Sequence, residues 1–339
     1  MSLSERNYTI DAARGVALFL VALSHAHDTS HYVSSFYIVA FFFLSGMLYK
    51  PGRSYSQNIR KKAKRVLLPY FVNSGILLVA YILTMSFSVD QTVDAIKGVF
   101  YSRYYIMNAE ERVLGSIANA PLWYLTAFFS TTLLFHLVVD RFTNSRKQTL
   151  LLCIVLISLS VMLTQLPILL PWSIDMIPFF TVVMIAGYLF AKQEVTPDFS
   201  WTTTGILMLG YFALSYENGP INLSVRDFGC GQIMALATGI CGTLACMALC
   251  ARNRLYVLKT FFLKIGTNSI VVLSFHLFFF AYYKAFFKKK ILPMIGAQID
   301  NSFLLDMLLM MLAIFTCLAI GYLMDYRKKR LSAQYQQRS

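Results

Sequence analysis

Apolar runs of about twenty residues, separated by short basic or mixed-charge gaps, repeat along most of the chain. Reading each run between charge clusters predicts helices over 9–27, 33–49, 66–86, 118–139, 149–165, 173–191, 200–216, 228–250, 268–287 and 303–324. A helix rises about 1.5 Å per residue, so about 20 mostly apolar residues cross a bilayer. The expected fold is therefore all-α, a polytopic membrane protein of about ten transmembrane helices. Residues 1–326 form one membrane domain, and 327–339 form a basic tail. The apolar run from Gly15 to Leu23 lies behind basic residues as in a signal peptide, but Asp11 precedes it, and it is read as an uncleaved first span.

Composition agrees with that pattern. The chain is 57% hydrophobic and 14% charged, where soluble domains carry about a quarter charged residues. The formal charge of +14 would suggest nucleic acid in a soluble protein. Here the basic residues sit between apolar runs, where they orient the chain and attract anionic lipid headgroups or an anionic ligand. An even number of spans puts both termini on one side, and placing both in the cytoplasm leaves most of the 30 Lys and Arg residues inside. Lys288, Lys289 and Lys290 dissent, because the same assignment puts them outside. The longest connection, Phe87 to Ile117, is open to two readings, a solvated loop or an interfacial lid. The six cysteines lie in apolar stretches without metal-ligand spacing, which points to buried small hydrophobes and to no metal.

Charged groups within a span cost a few kcal/mol on insertion scales, so they single out candidate chemistry. The first span holds Asp11, Arg14, His25 and His27. Arg14 and His25 are eleven residues apart, about three turns, and share a helix face, while Asp11 and Arg14 can pair at i and i+3. An interfacial ion pair with a histidine at the helix end would explain this set; so would a site. Ser45 and Gly46 close the second span and permit close helix approach. Arg60-Lys61-Lys62-Ala63-Lys64-Arg65 then leads into the third, where Lys61, Lys62 and Arg65 share a face. That cluster can neutralise phosphates or anchor the helix at the cytoplasmic surface. Trp123 and Tyr124 open the fourth span as residues of an interfacial belt. Asn268 or Ser269 can cap the helix containing His276, which serves either a bond between helices or the site itself.

These segments together resemble the membrane-bound acyltransferase type 3 family, bacterial integral membrane enzymes that O-acylate glycans and other envelope molecules. The resemblance rests on Asp11-x-x-Arg14-Gly15 followed by His25, on Phe42-Phe43-Leu44-Ser45-Gly46, and on Arg65-x3-Pro69-Tyr70. It continues through Trp123-Tyr124-Leu125, Gly187-Tyr188-Leu189-Phe190, and Asn268-Ser269 ahead of His276. It implies roughly ten spans in the bacterial inner membrane, an acyl-CoA donor such as acetyl-CoA on the cytoplasmic side, and a hydroxyl acceptor on a sugar or lipid-linked glycan. No tightly bound cofactor and no nucleic acid are expected, and no oligomeric state follows. By the same resemblance His25 matches the family's essential histidine and Arg14 its partner arginine. Lys62 and Arg65 fall where the family often has two basic residues; the lysine departs from the commoner arginine. Members that modify O-antigen often carry a glutamate soon after the fourth-span tryptophan, whereas Trp123 is followed by Tyr124-Leu125-Thr126-Ala127. A shorter branch of the family is the expected comparison.

On this reading Arg14, Lys62 and Arg65 bind donor phosphates in a cavity lined by the first three spans, and His25 takes the acceptor proton, its unperturbed pKa of about 6.5 leaving it neutral. A covalent acyl-enzyme on His25 or Ser45 is the alternative route. A transporter or flippase for a lipid-linked sugar is the alternative function, and a non-catalytic scaffold a third.

Overall fold

The computed structural model describes residues 3–27, 30–52, 54–86, 88–103, 105–107, 112–115, 121–193, 199–252, 256–295 and 302–336. Of the Lys and Arg residues counted for topology, Arg53, Arg254 and Arg338 lie outside them, as do Phe87, Glu110, Glu111 and Ile117 of the longest connection. The chain is a helical bundle: α1 (Leu3–Ala26), α2 (His31–Ser34), α3 (Tyr37–Met47), α4 (Tyr55–Lys62), α5 (Leu68–Met85), α6 (Val89–Tyr101) and α7 (Trp123–Phe142), then α8 (Arg146–Thr164) and α9 (Ile177–Lys192). After these come α10 (Trp201–Asn218), α11 (Gln232–Arg252), α12 (Tyr256–Thr267), α13 (Ser269–Phe286), α14 (Leu292–Ile295) and α15 (Phe303–Gln336). A short antiparallel pair, β1 (Tyr105–Met107) and β2 (Arg112–Gly115), interrupts the helices.

Among the described residues, eight helical stretches are long and apolar enough to cross a membrane: Tyr8–Ala26, Tyr55–Met85, Trp123–Phe142, Arg146–Thr164, Pro171–Lys192, Gln232–Arg252, Ser269–Met294 and Phe303–Arg327. The chain is thus a multi-pass membrane protein. The other two expected spans are helical but fall short in different ways. His31–Met47 is shorter, and its helix breaks at Ser35 and Phe36. Helix α10 is less apolar because it begins Trp201-Thr202-Thr203-Thr204 and ends Glu217-Asn218. The connection after α5 is also more ordered than a solvated loop. Ser88 and Gln91 form a reciprocal capping box that starts α6, and Ala95, Gly98 and Val99 bury one side of that helix.

Glycines set the closest crossings. A Cβ on Gly46 of α3 would lie 2.0 Å from the Met184 carbonyl oxygen of α9, and one on Gly187 would lie 2.0 Å from that of Phe43. The same reciprocity holds where α1 crosses α12. A Cβ on Gly15 would meet the Phe262 oxygen at 1.8 Å, and one on Gly266 the Asp11 oxygen at 2.0 Å. Lipid tails give helices no hydrophobic reason to associate, so such backbone contact supplies the packing attraction. Phe42 and Phe180, stacked with centroids 4.0 Å apart, extend the α3 to α9 contact.

Helix α4 runs into α5 through a π-helical turn, Ala63–Leu67. Pro69 cannot donate to the carbonyl four residues back, that of Arg65, and its ring crowds that oxygen, which accounts for the widened turn. The turn Phe287–Ile291, ahead of Pro293, repeats the arrangement and carries Lys288, Lys289 and Lys290, all exposed.

A buried ion cluster ties α6 to the entrance of α9. Arg103, only 1% exposed, bonds Asp175 through Nη2, and its other nitrogens donate to the carbonyls of Leu170 and Ser224 at 3.0 and 2.9 Å. Arg226 reaches the second Asp175 oxygen at 3.4 Å. Burial lowers the Arg103 pKa from its ordinary value, and the Asp175 carboxylate acts the other way.

Candidate active site

A cavity of about 560 Å³ opens at the end of the bundle where α3 meets α4. Arg14 on α1, Lys50, Lys61 and Lys62 on the approach to α5, and Arg65 in the π turn all line it. Ser45, Tyr49, Asn58, Tyr124, His136 and Ser269 add polar atoms, and Leu18, Phe41, Phe128 and Leu273 form apolar wall. Among the described residues lining it there is no carboxylate. The structure joins the first three expected spans at one cavity and adds α7 and α13 as further walls.

The i, i+3 pair on α1 forms as expected, with Arg14 Nη1 donating to Asp11 Oδ1 at 2.8 Å. Lys62 lies over the Phe128 ring, its Nζ 4.5 Å from the centroid, and neither Lys62 nor Arg65 forms an ion pair among the described residues. Five cations around an apolar-walled space without a lining carboxylate create a field that favours a polyanion.

His25 does not line this cavity. It lies further along α1, exposed, with its ring centroid 5.5 Å from that of His276 on α13. His276 is fully buried, and its Nδ1 is 2.7 Å from the Val272 carbonyl oxygen one turn back on the same helix. Its polar contact is therefore to its own helix, while its ring faces the candidate base, so the bond to another helix is absent among the described residues. Two other expectations change. Trp123 is buried, 7% exposed, instead of standing in an interfacial belt, because α7 starts against α9 and packs Tyr124 on Phe41 and Phe42 of α3. Asn268 occupies the cap position of α13, but its Nδ2 donates backward to the Lys264 carbonyl at 2.9 Å and leaves α13 without a side-chain cap.

Beyond His25, α1 ends at a second polar cluster. Lys284 Nζ contacts Asp306 at 2.8 Å, and His27 Nδ1 is 3.8 Å from the same carboxylate. Since Lys284 follows His276 on α13, this cluster and the lysine turn beyond it lie at the end of the bundle opposite the basic cavity. Asp306 is buried, so His27 lies against a carboxylate already paired with Lys284, apart from the contact between His25 and His276.

Sequence reasoning missed His136 and Asn58. Asn58 Nδ2 is 3.4 Å from His136 Nδ1, and the His136 ring is 4.9 Å from that of Tyr49, whose hydroxyl donates to Asp140 at 2.6 Å. Asn58 and His136 are 78 residues apart, so no local pattern joins them. The available signal was a histidine one turn before Asp140 in an otherwise apolar helix.

Neither curated proteins nor solved structures return a match to this chain. A family model described as an acyltransferase domain matches residues 7–325, nearly the whole chain, and so includes both the basic cavity and the histidine pair. The chain belongs to the acyltransferase type 3 family and is a membrane enzyme that transfers acyl groups other than aminoacyl groups.

Proposed function

We propose that the enzyme moves an acyl group, acetyl in the first instance, from acyl-CoA to a hydroxyl of a sugar or lipid-linked envelope glycan in a bacterial inner membrane. The carrying observation is the cavity itself, with Arg14, Lys50, Lys61, Lys62 and Arg65 around it and no carboxylate among its described lining. Coenzyme A presents a diphosphate and a further phosphate, and charge-assisted contacts to phosphate are among the stronger hydrogen bonds in proteins. Lys62 and Arg65, without carboxylate partners among the described residues, suit those contacts best. Arg14, already paired with Asp11, supplies a more directional donor.

With both termini in the cytoplasm, the cavity faces the donor side. The line from Arg14 to His25 then follows α1 for about three turns, roughly 16 Å, a distance an extended pantetheine arm spans. His25 accepts the proton of the acceptor hydroxyl as its oxygen attacks the thioester carbonyl. The carbon–sulfur bond breaks, and coenzyme A leaves as a thiolate that takes up a proton. Direct transfer is favoured over an acyl-enzyme because Ser45 lines the cavity apart from His25, among the described residues not within hydrogen-bonding range of a base. Family membership also weighs against the transporter reading.

Mass spectrometry of envelope glycans from cells with and without the gene tests the activity and names the acceptor. Identical acylation in the two strains would overturn the proposal. Labelling purified enzyme with radioactive acetyl-CoA in the absence of acceptor separates the routes, and a stably labelled protein would replace direct transfer with the covalent path.

A further inference from the structure

His276 presents a buried imidazole whose two nitrogens are in unlike situations. Nδ1 is 2.7 Å from the Val272 carbonyl oxygen, and a carbonyl oxygen can only accept, so in the neutral ring Nδ1 carries the proton. Nε2 is then a bare acceptor. It is fully buried and has no hydrogen-bond partner among the described residues. An unmet buried acceptor costs stability and calls for an explanation. The neighbouring imidazole is that of His25, with centroids 5.5 Å apart and planes inclined by 36°. His25 is exposed, and it makes no hydrogen bond among the described residues that would fix which of its nitrogens holds the proton.

We infer that His276 is a positioning residue for the acyl transfer: in the competent state its Nε2 accepts the N–H of His25, which leaves the other His25 nitrogen unprotonated toward the acceptor hydroxyl. The inference deepens the proposed function and rests on His25 acting there as base. A base must present a lone pair, not an N–H, to the proton it removes, and the partner on its second nitrogen decides that choice. The Val272 carbonyl sets the chain in order: it holds the proton on His276 Nδ1, Nε2 can only accept, and His25 must donate through the nitrogen that faces it. When His25 becomes an imidazolium during transfer, the same contact gives its charge a buried acceptor. No proton leaves His276, so the step stays balanced, with one proton passing from the acceptor to His25.

Three substitutions separate this role from packing. His276→Gln keeps a polar atom near the Nε2 position and gives up the bond to Val272. His276→Asn keeps one near Nδ1 and gives up the acceptor. His276→Phe keeps the ring and gives up both. With the full-length enzyme and acetyl-CoA as donor, kcat of the Asn and Phe variants should fall roughly a hundredfold, the KM for acetyl-CoA should stay near the wild-type value, and Gln should retain at least tenfold more turnover than Asn. A packing role, served by the intrahelical bond, predicts the reverse order, so Asn equal to or better than Gln overturns the inference. The second readout is independent of activity. Nitrogen-15 histidine spectra, with His25 assigned by the signals missing in His25→Gln, should show one His25 tautomer in wild type and a mixture in His276→Phe. If the phenylalanine variant does not accumulate in the membrane, His276→Asn takes its place. An unchanged His25 tautomer would refute the contact. Wild-type protein without transfer from acetyl-CoA would instead sink the donor assignment, and the spectra would still decide the histidine pair.

Discussion

Alanine at Gly15 tests whether close helix crossings fix the geometry of the site. The new Cβ would lie 1.8 Å from the Phe262 oxygen, where ordinary contact begins at 3.4 Å, so α1 and α12 must separate there by roughly 1.6 Å, the difference of the two. The obstacle is backbone on a facing helix, which cannot rotate aside. Alanine gains about 1 kcal/mol over glycine in helix propensity, while forcing an extra carbon into a packed contact costs about 1–3 kcal/mol, so net destabilisation stays within about 2 kcal/mol. Function should suffer more than stability. Arg14 and His25 both ride on α1, and misplacing catalytic groups by about 1 Å can cost a hundredfold in rate. The assay is acyl transfer by membranes, normalised to the amount of enzyme, beside thermal unfolding in detergent. Gly75→Ala on α5 is the control, since nothing lies within 4 Å of a Cβ there, and it should match wild type. Wild-type turnover from Gly15→Ala would refute the reasoning and show that the crossing can relax without moving the site.

Neutral substitution of Lys62 and Arg65 should raise the KM for acyl-CoA about tenfold or more per lost phosphate contact while acceptor saturation changes little; steady-state kinetics with each substrate varied checks this. Asp175→Asn should destabilise the protein by about 3–5 kcal/mol, because it leaves Arg103 buried beside Arg226 without a counter-charge, and denaturation midpoints in detergent report it. His25→Gln should lose about two orders of magnitude in turnover with abundance and acyl-CoA binding kept, whereas His27→Gln should stay within a few-fold. A reporter fused after Gln337 should read as cytoplasmic, and a periplasmic signal there would reverse the assignment of the basic cavity to the donor side.

The spans were legible because an apolar run of membrane length has few other uses, and each of the eight long apolar helices falls on one of the expected runs. What the run length concealed was the break at Ser35 and Phe36 and the buried side of α6. Both depend on contacts with distant helices, such as the Tyr70 hydroxyl donating to the Val99 carbonyl. Arg14, Lys61, Lys62 and Arg65 were found because charge in an apolar context is costly and helical spacing is a local property. The glycines in the same motifs find their physical reason only in the bundle, since Gly15 and Gly266, or Gly46 and Gly187, are far apart in sequence. For His136 and Asn58 the failure was of another kind: each alone resembles an ordinary polar residue near a helix end, and only the fold brings them to one cavity wall.

The distribution of counter-charges links these pieces. At the end remote from the cavity, the buried Arg103 and the half-buried Arg226 are matched by Asp175, and the half-buried Lys284 by the buried Asp306. Burying an unmatched charge costs several kcal/mol, so such pairing is what a structural charge in this setting requires. At the cavity Lys62, half-buried over the Phe128 ring, and the exposed Arg65 have no carboxylate among the described lining residues. Mutual repulsion among those cations is a standing cost in the free enzyme. An incoming polyanion removes it, so part of the binding free energy is relief of repulsion already present, and affinity for the donor should fall steeply with ionic strength. A carboxylate introduced beside Arg65 would stabilise the empty protein by the same interaction and weaken donor binding in proportion. On the proposed function the charges left unpaired are those whose partner arrives as substrate, and a fold that neutralised them internally would be more stable and less able to bind.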